Sequence, residues 1–355
     1  TTWTAIGPKV FGGRVLSIAI NPVAGASGSN TMYVGSASGG IWRSYTNGLG
    51  ATAWHPVTTG FPVLGVASIV YHPTDTSTIL AGTGEVYRYQ TLTNGANSTN
   101  QVGNIGRNVW KARGTYGIGI LKTTNAGATW TNVMPKVSSD LFAVQKIKYD
   151  PTNANTVYAC TTDGLYRSTN GGDSWTRIWV ADYVNDIVIN PSNNQQIVVA
   201  AGNADNTSKG LWRSTDGGTN FTKITTTVPT SYATFKGYAT LNIAGTNTIF
   251  AAFGDGDTNG DASYGENEIY RSTDFGATWT VITNSNHSQF QAWFAHCIAP
   301  YPGSTTKFFI AGVDRYVLTI SGSTGTRTGV GNGSATMSSY ITPGSQEGGT
   351  TYVHD

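Results

Sequence analysis

Charge is scarce in this chain. Of its 355 residues only 11% are Asp, Glu, Lys or Arg, and the formal net charge is +2. Globular domains ordinarily carry about a quarter charged residues. So weak a field gives nucleic acid or an anionic membrane surface little to follow, and no basic cluster interleaved with aromatics makes up for it. Cysteine is scarcer still. Cys160 and Cys297 are too few for a disulfide framework. Each lies in an apolar run, "TVYAC" and "FAHCIA", as expected of two buried free thiols. Long apolar runs are missing, and nothing approaches the roughly 20 residues of a membrane-spanning helix. The five histidines show no metal-ligand spacing. His72 holds a turn position that Asn21, Asp150 and Asn190 hold elsewhere, so it reads as a turn residue. The chain opens on "TTW" without Met, the expectation for a processed N-terminus.

Glycine fills the space, with 45 residues, alongside many Thr, Ser and Asn. Aromatics stand at 11%, which separates this chain from a disordered one. The composition reads as turn-rich and all-β.

A repeat organises it. "LKTTNAGATW" ends at Trp130, "YRSTNGGDSW" at Trp175, "WRSTDGGTNF" at Phe221 and "YRSTDFGATW" at Trp279, with a stretched copy ending at Trp54. Before most copies stands a β-branched run broken by a Pro turn, as in "DIVINP". Each unit reads as four strands joined by turns. Pro presets φ, Gly supplies positive φ, and Asp or Asn bonds its own backbone two residues on. Four antiparallel strands at about 45 residues per repeat are the signature of propeller blades. Trp130 to Trp175 is 45 residues, Trp175 to Phe221 is 46, Phe221 to Trp279 is 58, and Trp54 to Trp130 is 76. The two excesses match a 12-residue acidic segment, 255–266, and an aperiodic 31-residue segment, 85–115. Long insertions on a regular frame are where function concentrates.

The repeated pattern S/T-x-D/N-x-G-x-S/T-W resembles the Asp-box, or BNR repeat. It is carried by Ser168, Asn170, Gly172 and Trp175, by Ser272, Asp274, Gly276 and Trp279, and by Asn125 with Trp130. A departing copy holds Asp216 and ends in Phe221. The chain thus resembles the Asp-box β-propellers, a group with sialidase, xyloglucanase and sortilin-type members. "GGRVLSIAINP", "GSASGGIWRS" and "AGTGE" are most similar to secreted or surface proteins of the Bacteroidetes type IX route. The resemblance implies that the boxes are structural, with Trp130, Trp175 and Trp279 between blades. The Arg or Lys preceding each box is expected to be blade architecture too.

Six units are visible, beginning near Arg14, Gly65, Phe142, Tyr183, Phe235 and Phe290, and the sixth lacks a clean box. "TTWTAI" resembles the strand after a box, and "TTYVHD" resembles the opening of another blade. The expectation is one propeller domain over 1–355, seven-bladed, with the seventh blade incomplete and the chain truncated at its C-terminus. A six-bladed ring is the alternative.

Function must be read from a site. The resemblance implies, for a xyloglucanase, a carboxylate in the first-blade turn, where "GSASGG" has none. For a sialidase it implies an arginine trio, and most Arg residues here are locked to the repeat. No catalytic residue is assigned. The expected function is a non-catalytic extracellular or cell-surface binding or scaffold module, its partner a glycan, a protein or the secretion machinery. A propeller glycoside hydrolase is the alternative. Glu85, expected near the pore, with Arg88, Arg107 and Trp110, makes the candidate binding surface. Segment 255–266 fits D-x-[DN]-x-[DN]-G-x5-E. Asp255, Asp257, Asn259, Asp261, Ser263 and Glu266 are its candidate calcium ligands.

Overall fold

The computed structural model describes residues 14–23, 30–50, 52–62, 65–89, 112–137, 142–202, 208–225, 239–254, 267–285, 287–288, 296–312 and 315–329. These residues contain strands and no helix. Sheet one is β1 (Val15–Ile20), β2 (Met32–Ser36), β3 (Ile41–Ser44) and β4 (Trp54–Val57). In the second unit β5 (Val66–Tyr71) and β6 (Ile79–Thr83) are followed by β7 (Glu85–Tyr89) and β8 (Ala112–Thr115), then by β9 (Ile120–Thr123) and β10 (Thr131–Asn132). Sheet two pairs β5, β6, β9 and β10, while β7 and β8 pair with each other. Sheet three is β11 (Val144–Asp150), β12 (Asn153–Thr161), β13 (Gly164–Ser168) and β14 (Thr176–Trp179). Sheet four is β15 (Val184–Ile189), β16 (Ile197–Ala201), β17 (Gly210–Ser214) and β18 (Thr222–Lys223). Sheet five is β19 (Ala239–Ala244), β20 (Thr248–Gly254), β21 (Asn267–Ser272) and β22 (Thr280–Ser285). Sheet six is β23 (Cys297–Pro300), β24 (Lys307–Ala311), β25 (Arg315–Ser321) and β26 (Thr324–Gly329). Residues 330–355, read from sequence as entering a seventh blade, lie outside the described residues.

The first strand of each sheet lies beside the first strand of the next, in the order β1, β5, β11, β15, β19, β23. The architecture is a β-propeller. Its core is not one body but a series of layers between successive sheets. Tyr33 and Ile41 of sheet one meet Ile69 and Ile79 of sheet two, and Tyr158 and Leu165 of sheet three meet Ile187 and Val199 of sheet four. Central strands packed on both faces lose the apolar/polar alternation: β15 and β16 are buried throughout.

Antiparallel pairing puts two kinds of connection at each end. The turns between strands one and two and between strands three and four share one end, the turn end. The connections between strands two and three, and from each sheet to the next, share the other, the loop end. The turn end is repetitive. Ser168 Oγ donates to Asn170 Oδ1 (2.8 Å) and accepts from Gly172 N (2.8 Å), while Asn170 Oδ1 accepts from Ser174 N (3.0 Å). Ser272, Asp274, Gly276 and Thr278 repeat this at 2.7–2.8 Å. In the departing copy Asn220 Nδ2 donates to Asp216 Oδ2 (2.8 Å), so an amide replaces the usual hydroxyl. The Asn220 backbone N–H, its amide and the Ser214 hydroxyl hold the Asp216 carboxyl down to about 2. His72 behaves as the turn residue expected: its Nδ1 accepts from Asp75 N (3.1 Å) and Thr74 N (3.3 Å).

The cation before each of these turns staples its sheet to the next. Arg43 donates to Ala126 O (2.9 Å), Lys122 to Gly171 O (2.9 Å), Arg167 to Gly217 O (3.0 Å), Arg213 to Phe275 O (3.0 Å) and Arg271 to Gly322 O (2.9 Å). The expectation of architecture rather than a ligand clamp describes these five. Two burial expectations need correction. Trp130 and Trp279 are buried, but Trp175 is only half-buried, its indole N–H donating to Gly172 O (3.1 Å). Cys160 and Cys297 are both free thiols, yet only Cys160 is buried, because Cys297 opens the first strand of the last described sheet. Burial, and then the nearby Asp186 charge, push the Cys160 thiol well up, so it is a packed apolar group and not a nucleophile.

Candidate functional site

The loop end is where the repeat stops repeating. In sheet three the step from strand two to strand three is a tight hairpin at Thr162 and Asp163. In sheet one it is the Ser36–Gly40 turn, closed on itself by Gly39 N to Ser36 Oγ (2.7 Å) and Ser36 N to Gly40 O (3.0 Å). In sheet two the same step carries the insertion 85–115. Segment 255–266 makes this step in sheet five, since β20 and β21 pair as far as Gly254 opposite Asn267. Asp255, Asp257, Asn259, Asp261, Ser263 and Glu266 lie outside the described residues.

The insertion is not aperiodic at its root, as the sequence reading had it. β7 and β8 form a ladder with Glu85 opposite Thr115 and Tyr89 opposite Ala112, the root of an arm whose residues 90–111 lie outside the described residues. Glycine makes the root possible. Two backbone segments cross where the arm leaves and returns. A Cβ on Gly84 would stand 2.6 Å from Gly117 N, and one on Gly117 would stand 2.2 Å from Thr83 O. Thr83 binds the crossing: its hydroxyl donates to Gly119 O (2.6 Å) and accepts from Ile118 N (2.8 Å).

Two contacts fix the arm to the ring. Tyr183, at the entrance to sheet four, donates its hydroxyl to Val86 O (2.5 Å) and packs with Val86 and Ala143. It is fully buried with φ of 58°, a left-handed conformation that bulky residues rarely adopt. Its backbone bonds to Thr162 and Gly202 hold it there. Glu85 makes the second contact. It is buried and forms a two-pronged ion pair with Arg14, one prong 2.6 Å from Oε2. Both its oxygens close on the guanidinium that precedes β1, in the fork geometry Arg favours. Of the other candidates, Arg88 stands opposite Arg113 in the β7–β8 register. Arg107 and Trp110 lie outside the described residues.

A third polar cluster sits between the inner strands. Asp186 is buried. It accepts from Leu241 N (2.9 Å) on β19 and Ile187 N (2.8 Å), and meets Lys148 Nζ of β11 at 3.3 Å. One carboxylate therefore joins the inner strands of three sheets. Sequence reasoning missed Arg14, Tyr183 and Asp186. Only Asp186 left a signal, an acid inside the apolar run "VNDIVI" at the phase held by Ser68, which likewise accepts from Ile147 N of the next sheet (2.9 Å).

What this end can do follows from where its carboxylates point. A glycosidase holds two carboxyls about 5–10 Å apart across a substrate gap. Glu85 and Asp186 close instead on cations of the scaffold. Among the described residues no group of His, Cys, Asp or Glu is arranged to hold a metal, and no helix is long and apolar enough to cross a membrane.

Comparison with known proteins agrees with the architecture. Residues 118–299, just over half of the chain, match the Sortilin-Vps10 family model, described as sortilin, neurotensin receptor 3. A probable oligoxyloglucan-reducing end-specific xyloglucanase of Neosartorya fischeri is 35% identical over 69 residues, 18% of this chain and 8% of that protein. Among solved structures, an ancestral GH74 enzyme superposes with a TM-score of 0.58 at 18% identity, over 92% of this chain and 39% of its own. The GH74 enzyme of Niastella koreensis does so with 0.58 at 21% identity, over 89% of this chain and 45% of its own. The chain spans less than half the length of these relatives, and at such identities the likeness is one of fold.

Proposed function

The chain belongs to the Sortilin-Vps10 family, and from that premise we propose a non-catalytic binding or scaffold propeller of the cell surface or extracellular space. Its ligand, a glycan or protein, is met by the arm at 85–115. The carrying observation is the Arg14–Glu85 pair. It spends the acid nearest the arm on anchoring the arm. The neighbouring Ser36–Gly40 turn supplies no second carboxylate. With Glu85 neutralised by Arg14, the arm's other charges are Arg88, Arg107, Lys111 and Arg113, beside Tyr87, Tyr89 and Trp110. Cations with flat rings suit an acidic or sugar-bearing partner. The recurring turns are Asp-boxes in this reading, and a type IX-like route is the export path it includes. Glycan-array binding by wild type, lost when residues 90–111 are replaced by a Gly-Ser linker, is the expected result. Unchanged binding by the linker variant would refute the arm's role.

The second reading is a polysaccharide-active hydrolase, favoured by the xyloglucanase-named relative and the GH74 likeness of fold. Purified protein is expected to release no sugar from xyloglucan or sialosides. Turnover that disappears with Glu85→Gln would move the assignment to this reading.

The segment 255–266 is proposed to bind calcium. Its ligand spacing supports this, as does its position between two strands that pair to their ends. A calcium loop needs close oxygens and a sharp Gly turn, not flanking helices. Binding to the folded state alone raises the melting point by mass action. Millimolar calcium is expected to raise the wild-type midpoint over EGTA, and not that of Asp257→Ala. An equal wild-type midpoint in both buffers would leave an acidic turn.

A further inference from the structure

The positive charge of this molecule is gathered in one place. The chain holds 21 Lys and Arg and 19 Asp and Glu, and segment 85–115 holds four of those cations and one of those acids. The rest of the chain is therefore one acid in excess, and the whole of the net +2 comes from the arm. Its one acid, Glu85, is closed on Arg14. Elsewhere arginines serve the scaffold. Arg43, Arg167, Arg213 and Arg271 donate to carbonyls of the next sheet, and Arg177 meets Asp163 at 3.5 Å. The arm differs. In the β7–β8 ladder Arg88 stands directly opposite Arg113. Like charges placed opposite each other weaken a ladder, and neither strand has an acid other than Glu85 to relieve them. The backbone holds this register all the same, because Val86, two places before Arg88, is tied to Tyr183, and Glu85 to Arg14. A local rule broken on an anchored element is what a binding site looks like before its ligand arrives, and the ligand that relieves two opposed cations is an anion.

We infer that Arg88 and Arg113 form a clamp for the carboxylate or sulfate groups of an acidic polysaccharide. The inference rests on the binding role proposed above for the arm and names the class of its ligand. A guanidinium presents its N–H donors in a fork that matches the oxygens of an oxyanion. Opposed ladder positions stand about 5 Å apart at Cβ, a separation at which one oxyanion can be shared by two such forks. Tyr87 and Tyr89 flank Arg88 in β7, and tyrosine offers flat contact area with a polar edge. Ring and cation side by side in one strand favour a sugar that carries an acid over a bare anionic chain. The remainder of the molecule, with its slight excess of acid, has no field to draw such a ligand elsewhere.

The test pairs binding of the full chain with hydrogen exchange of β7 and β8 in the absence of ligand. The probes are polygalacturonate for carboxylate, dextran sulfate for sulfate, neutral dextran, and poly-glutamate as an anionic chain without sugar. Wild type is expected to bind at least one acidic polysaccharide, to bind poly-glutamate more weakly and to ignore dextran. The tighter of the two polysaccharides names the group. Arg88→Gln and Arg113→Gln are each expected to weaken binding at least about 10-fold, the loss of a charge-assisted bond. Each is also expected to slow exchange in β7 and β8 about 2- to 5-fold, as the repulsion across the ladder goes. Lys223→Gln on sheet four is expected to change neither. Weaker binding with faster exchange in the Arg variants makes the pair structural and overturns the inference. So does an equal loss with Lys223→Gln, equal binding of poly-glutamate, or a wild type that binds neither polysaccharide. The Gly-Ser linker variant of 90–111 keeps both arginines, so it separates this inference from the arm's proposed role. Binding lost with the linker and kept in both Arg variants leaves that role standing and overturns the clamp. Binding kept with the linker and lost in the Arg variants supports the clamp and refutes a role for 90–111.

Discussion

The two ends of this propeller are made from the same repeat and have been put to opposite uses. At the turn end a hydroxyl, an Asp or Asn and a Gly recur with bonds that agree within a few tenths of an ångström. At the loop end no two steps between the second and third strands are alike, from a tight hairpin to a 31-residue insertion. The difference teaches where constraint lies. The turn end closes each sheet and receives the staple from its neighbour, so a change there is felt twice. The loop end bears no such duty except where a buried polar group reaches from one inner strand to the next.

Asp186→Ala is the strongest way to break that division, because it strikes the loop end's half of the ring at a point of structural duty. It strands Lys148 and two backbone N–H groups. A loss of about 3–5 kcal/mol is expected, as for a buried ion pair cut on one side, read from urea unfolding. A loss under about 1 kcal/mol would place this carboxylate among the dispensable surface pairs.

Ser168→Ala, Ser214→Ala and Ser272→Ala sharpen the comparison from the other end. Each removes the acceptor of a buried glycine N–H, and each is expected to cost about 1–3 kcal/mol. The three values should agree if the turn end is truly periodic. A threefold spread would show that the repeat is regular in geometry only.

His287, in the connection from sheet five to sheet six, gives the loop end a pH signature. Burial first, then the charges of His296 and Arg327, depress its pKa from 6.5 to about 3. Between those values the unfolded chain takes a proton that the folded chain refuses. Stability therefore falls as pH drops through this window, by up to about 1.4 kcal/mol per pH unit. His287→Gln is expected to flatten the slope, and identical slopes in the two proteins would remove His287 from the account. The smallest effect is Tyr183→Phe, which deletes one hydrogen bond to the arm's root. About 0.5–1.5 kcal/mol is expected, with faster hydrogen exchange confined to β7 and β8. Exchange that rises throughout the ring would mean that Tyr183 holds more than the arm.

The fold was open to reading because its information is local and repeated. Trp130, Trp175, Phe221 and Trp279 mark the phase, and Pro and Gly mark the turns between. The site was less open because its pairs are distant. Glu85 meets Arg14 across 71 residues and Tyr183 meets Val86 across 97. Neither separation has a period. The left-handed φ of Tyr183 is imposed by its neighbours and contradicts its local preference. The partial burial of Trp175 also depends on its surroundings, since its repeat fits the same S/T-x-D/N-x-G-x-S/T-W pattern as those of the buried Trp130 and Trp279.

The five staples all point the same way, each from the cation of one sheet to the carbonyl of the next. Sheets one to five therefore each carry a plug toward their successor, and sheets two to six each carry a socket toward their predecessor. During synthesis each sheet emerges with its plug ready before the socket exists, and the next sheet supplies it. Inserting or removing one whole internal unit would keep these plugs matched to sockets, whereas half a unit would leave a guanidinium or a carbonyl with nothing to meet.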